Sequence, residues 1–272
     1  MTARVEGDGP TALVLRAAGT NCDAEMCRAF MLAGARVRLE HIDEVSRQPG
    51  IIESADLIGF PGGFSYGDDI ASGRVFAARL RARLWPALRD AARRGTPMIG
   101  VCNGFQVMVQ LGLLPGPAAG EDWPEADAPE PTLALAANAG GRFVDRWVRV
   151  AAANSGRCVW TEPIASTDGL ALPIAHAEGR FVTANEETLD AMEAAGRVAL
   201  RYVDNPNGSA RDIAGVCDAS GRIFGLMPHP ERFLDWTRHP AWTRLEADQR
   251  RGDPPGLRMF RAAVESVRER VA

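Results

Sequence analysis

Several features that identify common classes of protein are missing from this sequence of 272 residues. No block of basic residues favours nucleic-acid binding, because arginines and acidic residues are mixed along the chain and the net charge is −4. No apolar run is long enough to cross a membrane. The first ten residues, MTARVEGDGP, lack the apolar core of a secretory signal. We therefore expect a cytoplasmic protein that contacts neither nucleic acid nor a membrane.

The cysteines and histidines also lack the patterns of two kinds of site. No two cysteines form a C-x-x-C pair, and their odd number without a signal sequence predicts reduced thiols rather than disulfides. The four histidines are not spaced like metal ligands, so we expect no metal ion bound by this chain. The five cysteines are Cys22, Cys27, Cys102, Cys158 and Cys217.

What the sequence contains is an alternation of short apolar strands and amphipathic helices. This pattern favours parallel strands joined by right-handed crossovers. We predict an α/β fold with an open mixed, mostly parallel sheet and helices on both faces. In the first half, the predicted strands are 11–17, 36–42, 56–63 and 97–101, and the helices are 21–35, 71–94 and 103–114. In the second half, the strand candidates are 142–152, 171–176, 180–184, 198–204, 213–218 and 222–227.

Two stretches depart from this alternation. Residues 115–132 are rich in proline, alanine and acidic residues, and we predict a mobile surface loop that buries little. Residues 238–256 form a charged excursion before the last helix, 256–271, which carries one apolar stripe. We find no internal repeat and no clear linker, so we expect a single domain spanning 1–272. The stripe consists of Leu257, Phe260, Val264, Val267 and Val271.

A cysteine lies between two glycines in the segment GVCNG, residues 100–104. The segment follows a buried strand and opens a helix, which is the context of a nucleophile elbow with Cys in place of Ser. Its sharp turn needs small neighbours and lifts the sulfur of Cys102 above the carboxyl ends of the strands. The helix N-terminus beside the sulfur favours the thiolate. We predict that Cys102 is a nucleophile; the alternative is a tightly packed turn with an inert cysteine.

A nucleophilic cysteine needs a base, and the base needs an orienting group. His229 follows an apolar strand in the segment GLMPHPER, and its flanking prolines hold it in an extended conformation. Residues two apart in an extended chain point the same way, so Glu231 can reach the other ring nitrogen. Cys102, His229 and Glu231 therefore form a candidate Cys-His-Glu triad.

Acyl transfer also needs hydrogen-bond donors where negative charge develops. The turn FPGGFSYGDD, residues 60–69, leaves a strand with two glycines. We expect the N–H groups of Gly63 and Asn103 to supply these donors, although a glycine turn without a ligand is the alternative. His176 precedes a glycine-containing segment, EGR, and is expected in the wall of the site rather than as its base.

Together these segments resemble the class I, triad-type glutamine amidotransferases, which have a flavodoxin-like fold. Within that family they are most similar to the glutaminase subunits, subunit I, of phosphoribosylformylglycinamidine synthase from de novo purine synthesis. The elbow and the Pro-His-Pro-Glu segment are typical of the whole family, whereas GGFSYGD and NPNGS are typical of the purine enzyme. The remaining segments that carry the resemblance are GTNCD, IAHAEGRF and YVDNPNGSARDIAGV.

The resemblance implies a role for each matched residue. Cys102 would attack the amide of L-glutamine, His229 would protonate the departing ammonia, and Glu231 would orient His229. Gly63 matches the glycine of the oxyanion loop. Gln106, one helical turn from the nucleophile, matches a side chain that contacts bound glutamine.

The resemblance also implies partners. Ammonia would pass through a protein tunnel to a separate synthetase (large) subunit, and a small bridging subunit would complete the synthase. The synthetase would use ATP and Mg²⁺ to convert formylglycinamide ribonucleotide (FGAR) to formylglycinamidine ribonucleotide (FGAM), with no cofactor in this chain. Cys22 lies in AAGTNCD, which departs from the proline-containing start usual in the family, and we expect Cys22 to pack rather than react.

Alternatives from two classes stay open at this point. A glutaminase subunit of another pathway, or a related Cys hydrolase, would lack the combination of GGFSYGD with NPNGS. A non-catalytic regulatory module that kept the fold would be favoured by the loss of a triad residue, and all three are present.

Overall fold

The computed structural model of the protein describes residues 9–68, 70–153, 157–165 and 169–271. The predicted lack of a signal sequence concerns mainly residues 1–8, which lie outside these ranges. The strands are β1 (Thr11–Arg16), β2 (Arg36–His41), β3 (Leu57–Phe60), β4 (Met98–Val101), β5 (Leu133–Ala136), β6 (Val144–Ala152), β7 (Leu170–His176), β8 (Arg180–Thr183), β9 (Val198–Tyr202), β10 (Ile213–Cys217) and β11 (Ile223–Leu226). The helices are α1 (Asp23–Leu32), α2 (Ile42–Arg47), α3 (Gly50–Glu53), α4 (Arg74–Arg93), α5 (Asn103–Leu111), α6 (Glu186–Ala194) and α7 (Pro255–Val271).

Nine of these strands form one mixed sheet in the order β2-β1-β3-β4-β11-β10-β9-β6-β7. The strands from β2 to β11 pair in parallel. The pairings from β11 to β7 are antiparallel. Because only β10 and β6 run against the others, seven of the nine described strands point the same way. The predicted open, mixed and mostly parallel sheet is confirmed.

Helices cover both faces of the parallel half. A side chain at Gly59 in β3 would meet Phe30 of α1, whereas one at Gly100 in β4 would meet Met108 of α5. Gly59 pairs with Ile99, the residue before Gly100, and successive residues of a strand point to opposite faces. The helices α1 and α5 therefore lie on opposite sides of the sheet, as predicted.

The sequence missed several short elements, namely β5, α2, α3 and α6. Helix α6 shows why. Its start is set by Asn185, whose side chain accepts a hydrogen bond from the Thr188 N–H at 2.8 Å. Such a cap satisfies a free backbone donor, but it does not change the spacing of apolar residues from which the helices were predicted.

Residues 115–132 form a loop without helix or strand and most of them are exposed, as predicted, but Trp123 and Ala128 anchor the loop to α4. Trp123 is buried, and its ring packs against Trp85 of α4 with 6.2 Å between centroids. The Arg81 guanidinium of α4 donates to the carbonyls of Ala128 and Pro129, both at 2.8 Å. Bonds from another element thus satisfy the carbonyls of this proline-rich segment, which has little regular structure of its own.

The end of the chain agrees with its sequence pattern. The charged excursion contains a short 3₁₀ turn at Trp242–Arg244. Helix α7 buries the predicted stripe as far as Val267, and the side chain of Val271 lies outside the described part. Phe260 packs edge-on against Phe30 of α1, with ring centroids 5.1 Å apart. None of the described helices is long and apolar enough to span a membrane.

The packing of the 115–132 segment can be tested by truncation of its buried ring. We expect Trp123→Ala to lower the free energy of unfolding by about 3 kcal/mol, because a large buried side chain leaves a cavity. Trp242→Ala is the matched control, because Trp242 is 38% exposed and its loss should cost less than about 1 kcal/mol. Urea unfolding of both variants measures the difference, and equal losses would contradict the packing described here.

Candidate active site

The turn at Cys102 has the strained geometry of a nucleophile elbow. Cys102 follows β4 with φ 52° and ψ −108°, a conformation that side chains rarely adopt without support from their surroundings. Its N–H donates to the carbonyl of Leu226 in β11 at 2.8 Å, which holds the turn against the neighbouring strand. A side chain at Gly104 would come within 1.8 Å of the Phe60 carbonyl, so only glycine lets α5 start this close to β3. The predicted turn is therefore present.

His229 follows β11, the strand that pairs in parallel with β4. Leu226 lies opposite Val101 in the register, so the segments after the two strands leave the sheet side by side. The His229 N–H donates to the carbonyl of Pro173 in β7 at 2.8 Å, which shows that the antiparallel half curls back toward β11. The topology therefore brings Cys102 and His229 to one end of the sheet from distant positions in the chain.

Glu231 binds the ring of His229 as predicted, with 2.6 Å between Nδ1 and Oε1. Both side chains are buried, with 2% and 1% of their surfaces exposed. The predicted extended backbone is not what brings the carboxylate there. His229 has φ −106° and ψ 85°, outside the extended range, and Pro230–Arg232 is a 3₁₀ turn that folds the carboxylate back to the ring. Because the pair is removed from water, its hydrogen bond fixes the orientation of the imidazole.

The charges around His229 favour its protonated form. Burial lowers the pKa of the imidazole, but the Glu231 carboxylate and the Cys102 thiol together outweigh burial and raise the pKa well above its ordinary value. Among the described residues, none makes a well-aligned hydrogen bond with His229 Nε2, although the Cys102 and Cys22 sulfurs are close enough to raise the pKa of the ring. The Cys102 thiol donates instead to the carbonyl of Ala175, 3.7 Å away. Cys102 and His229 are therefore close neighbours, with the thiol aligned on the Ala175 carbonyl rather than on the ring.

The glycine turn after β3 packs against this pair. A side chain at Gly62 would lie 2.8 Å from the His229 ring, so this glycine is needed for the ring to sit where it does. Gly63 follows with φ 140°, and the described residues provide no acceptor for its N–H. Asn103 is the first residue of α5, where backbone N–H groups have no partner within the helix. The two predicted donors thus flank the cysteine turn.

Polar side chains around the start of α5 form a network. Asn103 accepts a hydrogen bond from the Ser65 N–H at 3.3 Å and donates to Gln106 Oε1 at 3.0 Å and to Asp68 Oδ1 at 3.3 Å. Gln106 in turn donates to the carbonyl of Glu178. The amide of Gln106 is therefore engaged with the turn between β7 and β8.

His176 ends β7 and is buried beside the site. Its Nδ1 lies 3.1 Å from Asn138 Oδ1, and Gly179 packs against the face of its ring. Burial, followed by the charge of His229, lowers the pKa of His176 to about 4. His176 is therefore neutral beside His229, a position that agrees with the expected wall of the site.

Cys22 lies closer to the site than sequence reasoning indicated. It is buried, as expected of a packing residue, but its Sγ accepts a hydrogen bond from the Arg232 guanidinium at 3.1 Å. Cys22 Sγ, a ring nitrogen of His229 and a carboxylate oxygen of Glu231 all lie within 4.8 Å of one another. Since Cys22 follows β1, two strands from β4 in the parallel sheet, its position at the same end of that sheet was the available signal.

Tyr202 is a second residue beside the site that the sequence did not single out. It ends β9 and is buried. Burial, and then the charge of Cys102, raises the pKa of its hydroxyl far above the ordinary value. Tyr202 therefore stays neutral and provides an uncharged wall near the thiol.

The comparison with known families agrees with this geometry. A sequence profile of the CobB/CobQ-like glutamine amidotransferase domain matches residues 9–267. The match spans nearly the whole chain and includes the cysteine turn and the His-Glu pair. The chain therefore belongs to the CobB/CobQ-like glutamine amidotransferase family.

Individual relatives that share one name indicate which members of this family the chain resembles. The phosphoribosylformylglycinamidine synthase subunit PurQ of Dehalococcoides mccartyi is 39% identical over 94% of this chain and 97% of its own length. The subunit PurQ of Methanococcus maripaludis is 38% identical over the same shares. A chain in the structure of PurLQS from Thermotoga maritima is 29% identical, with a TM-score of 0.71 over 95% of this chain and 99% of that one.

The close approach of α5 to β3 gives a test of the turn geometry. We expect Gly104→Ala to lower the free energy of unfolding by about 1–3 kcal/mol, because the added methyl group overlaps the Phe60 carbonyl. Gly140→Ala is the matched control, since a side chain there meets no atom within 4 Å. Urea unfolding measures both, and a Gly104→Ala protein as stable as the control would contradict this geometry.

Proposed function

We propose that the chain is a glutaminase that hydrolyses L-glutamine through a thioester on Cys102 and delivers ammonia to a synthetase. The observation that carries this proposal is the placement of a strained cysteine and a buried His-Glu pair at the ends of two paired parallel strands. Membership of a glutamine amidotransferase family supports glutamine as the substrate.

The proposed reaction assigns one role to each triad residue. His229 Nε2 takes the proton of the Cys102 thiol, and the sulfur attacks the γ-amide carbon of glutamine. His229 then gives a proton to the departing nitrogen, which leaves as ammonia while the thioester forms. A water molecule, activated by His229, attacks the thioester and releases glutamate. Glu231 holds the imidazole and stabilises its positive charge throughout.

The oxyanion that forms during both attacks needs fixed donors. The N–H groups of Gly63 and Asn103 are the proposed donors, since they flank Cys102 without an acceptor of their own. Gln106 and His176 are proposed to line the space for the glutamine side chain. Gln106 must release the Glu178 carbonyl before its amide can contact a substrate.

The relatives support a place in a larger assembly. They are named as subunits of phosphoribosylformylglycinamidine synthase, and one solved relative is part of PurLQS. We infer that this chain docks with a synthetase subunit and a small bridging subunit. The ammonia is then used, with ATP and Mg²⁺ at the synthetase, to convert FGAR to FGAM. We further infer that the chain is one glutaminase domain and works in the cytoplasm.

Glutamate release tests the proposed nucleophile. With purified chain, synthetase partner and ATP, we expect Cys102→Ala to lower release by about 10³-fold or more, because the thioester cannot form. A diazoketone analogue of glutamine should label the wild-type chain and spare the variant. Cys27→Ala is the control, since Cys27 lies on α1 away from the cysteine turn. Labelling that persists in Cys102→Ala would show that another residue is the nucleophile.

The orienting role of Glu231 predicts a different signature. Glu231→Gln keeps the size of the side chain but can donate its amide hydrogen to Nδ1, which would place the imidazole proton on Nε2. We expect kcat to fall by about 10²- to 10⁴-fold while KM changes little. Steady-state kinetics separates the two constants. An unchanged kcat would mean that the buried carboxylate has no part in the reaction.

A further inference from the structure

A third ligand-forming side chain lies beside the proposed catalytic pair. Cys22, His229 and Glu231 each offer one donor atom, and these atoms lie within 4.8 Å of one another. All three residues are buried, with 1%, 2% and 1% of their surfaces exposed. The proposed reaction uses His229 and Glu231 but assigns no task to Cys22.

The donor set has the chemistry of a zinc site. Thiolate, imidazole and carboxylate are the three side-chain donors that Zn²⁺ takes in proteins. With bonds of about 2.0–2.3 Å, tetrahedral zinc donors lie roughly 3.5 Å apart, so atoms within 4.8 Å of one another need only small side-chain movements to reach these places. The spacing along the sequence gave no hint of such a site, because Cys22 comes from the end of β1 and the other two follow β11.

Two buried atoms of this cluster have unused binding capacity. Within the described ranges, His229 Nε2 and Glu231 Oε2 have no hydrogen-bond partner. A buried polar atom without a partner costs about 1–3 kcal/mol, which a bound ligand can recover. These atoms are therefore an independent sign that the cluster can accept a ligand.

The Arg232 guanidinium decides which metal ions fit. It donates a hydrogen bond to Cys22 Sγ, 3.1 Å away. Its positive charge also opposes a second cation, so the metal must gain strongly from a sulfur bond. Zn²⁺ does so, whereas Mg²⁺ prefers oxygen ligands and keeps its water. The Mg²⁺ needed by a synthetase would leave this cluster alone.

We propose that Zn²⁺ binds Cys22, His229 and Glu231 and reversibly inhibits the glutaminase. The bound ion occupies donor atoms of the proposed catalytic base and its orienting carboxylate, so His229 can no longer take the Cys102 proton. Cys22 is thus the residue that converts a catalytic pair into a metal site. The inhibition rests on the proposed function, but the metal binding does not.

Zinc binding and inhibition are measured together on the chain with its synthetase partner, at saturating Mg²⁺. We expect one Zn²⁺ per chain by equilibrium dialysis and inhibition that a chelator reverses. Cys22→Ala should raise the inhibitory zinc concentration at least about tenfold, since losing a ligand costs no less than losing its supporting contact. Cys27→Ala also removes a nearby cysteine, but Cys27 lies on α1 outside the cluster, so this variant should behave as wild type. Equal inhibition of Cys22→Ala and wild type would overturn the proposal. Zinc would then inhibit by binding Cys102 and His229 without Cys22.

A second measurement keeps the test independent of activity, with far-ultraviolet circular dichroism confirming that each variant is folded. In Cys102→Ala the proposed nucleophile is gone, so absorption from a thiolate-to-cobalt bond on adding Co²⁺ reports the remaining thiols. We expect this band in Cys102→Ala and its loss in the double variant that also carries Cys22→Ala. A band absent from Cys102→Ala would overturn the metal site, whereas a wild-type chain that binds zinc but releases no glutamate would overturn the proposed function only.

Discussion

The parallel pairing of β4 with β11 is the constraint on which the site depends. The bond from the Cys102 N–H to the Leu226 carbonyl ties the cysteine turn to the strand that delivers His229. A shift of this register by one residue would turn every side chain of the strand to the other face. The position of the proposed nucleophile relative to its base is therefore set by backbone hydrogen bonds in the core of the sheet.

The parts of the site that could be predicted from sequence are those with local causes. Gly100 and Gly104 around Cys102 indicate a turn that excludes side chains, and the structure shows backbone and sulfur atoms where those side chains would be. The prolines around His229 indicate an extended residue, but its φ of −106° and ψ of 85° fall outside the extended range. The approach of Glu231 was predicted as well, although a 3₁₀ turn rather than an extended chain produces it.

The parts that could not be predicted depend on contacts between distant segments. The order of the sheet beyond β11, and its curl back to Pro173, follow from packing that no local pattern contains. The 115–132 segment looks unstructured by composition because its partners, Trp85 and Arg81, belong to α4. The burial of Cys22 was expected, but its contact with Arg232 was not, because that guanidinium comes from the far end of the chain.

The burial of the cysteine turn has a consequence for how the free chain behaves. With only 6% of Cys102 exposed and Gln106 held by the Glu178 carbonyl, a solitary molecule keeps its sulfur shut away from freely diffusing amino acids. For a glutaminase of the proposed kind, this burial would slow the hydrolysis of glutamine by the chain alone and so limit the loss of ammonia to solution.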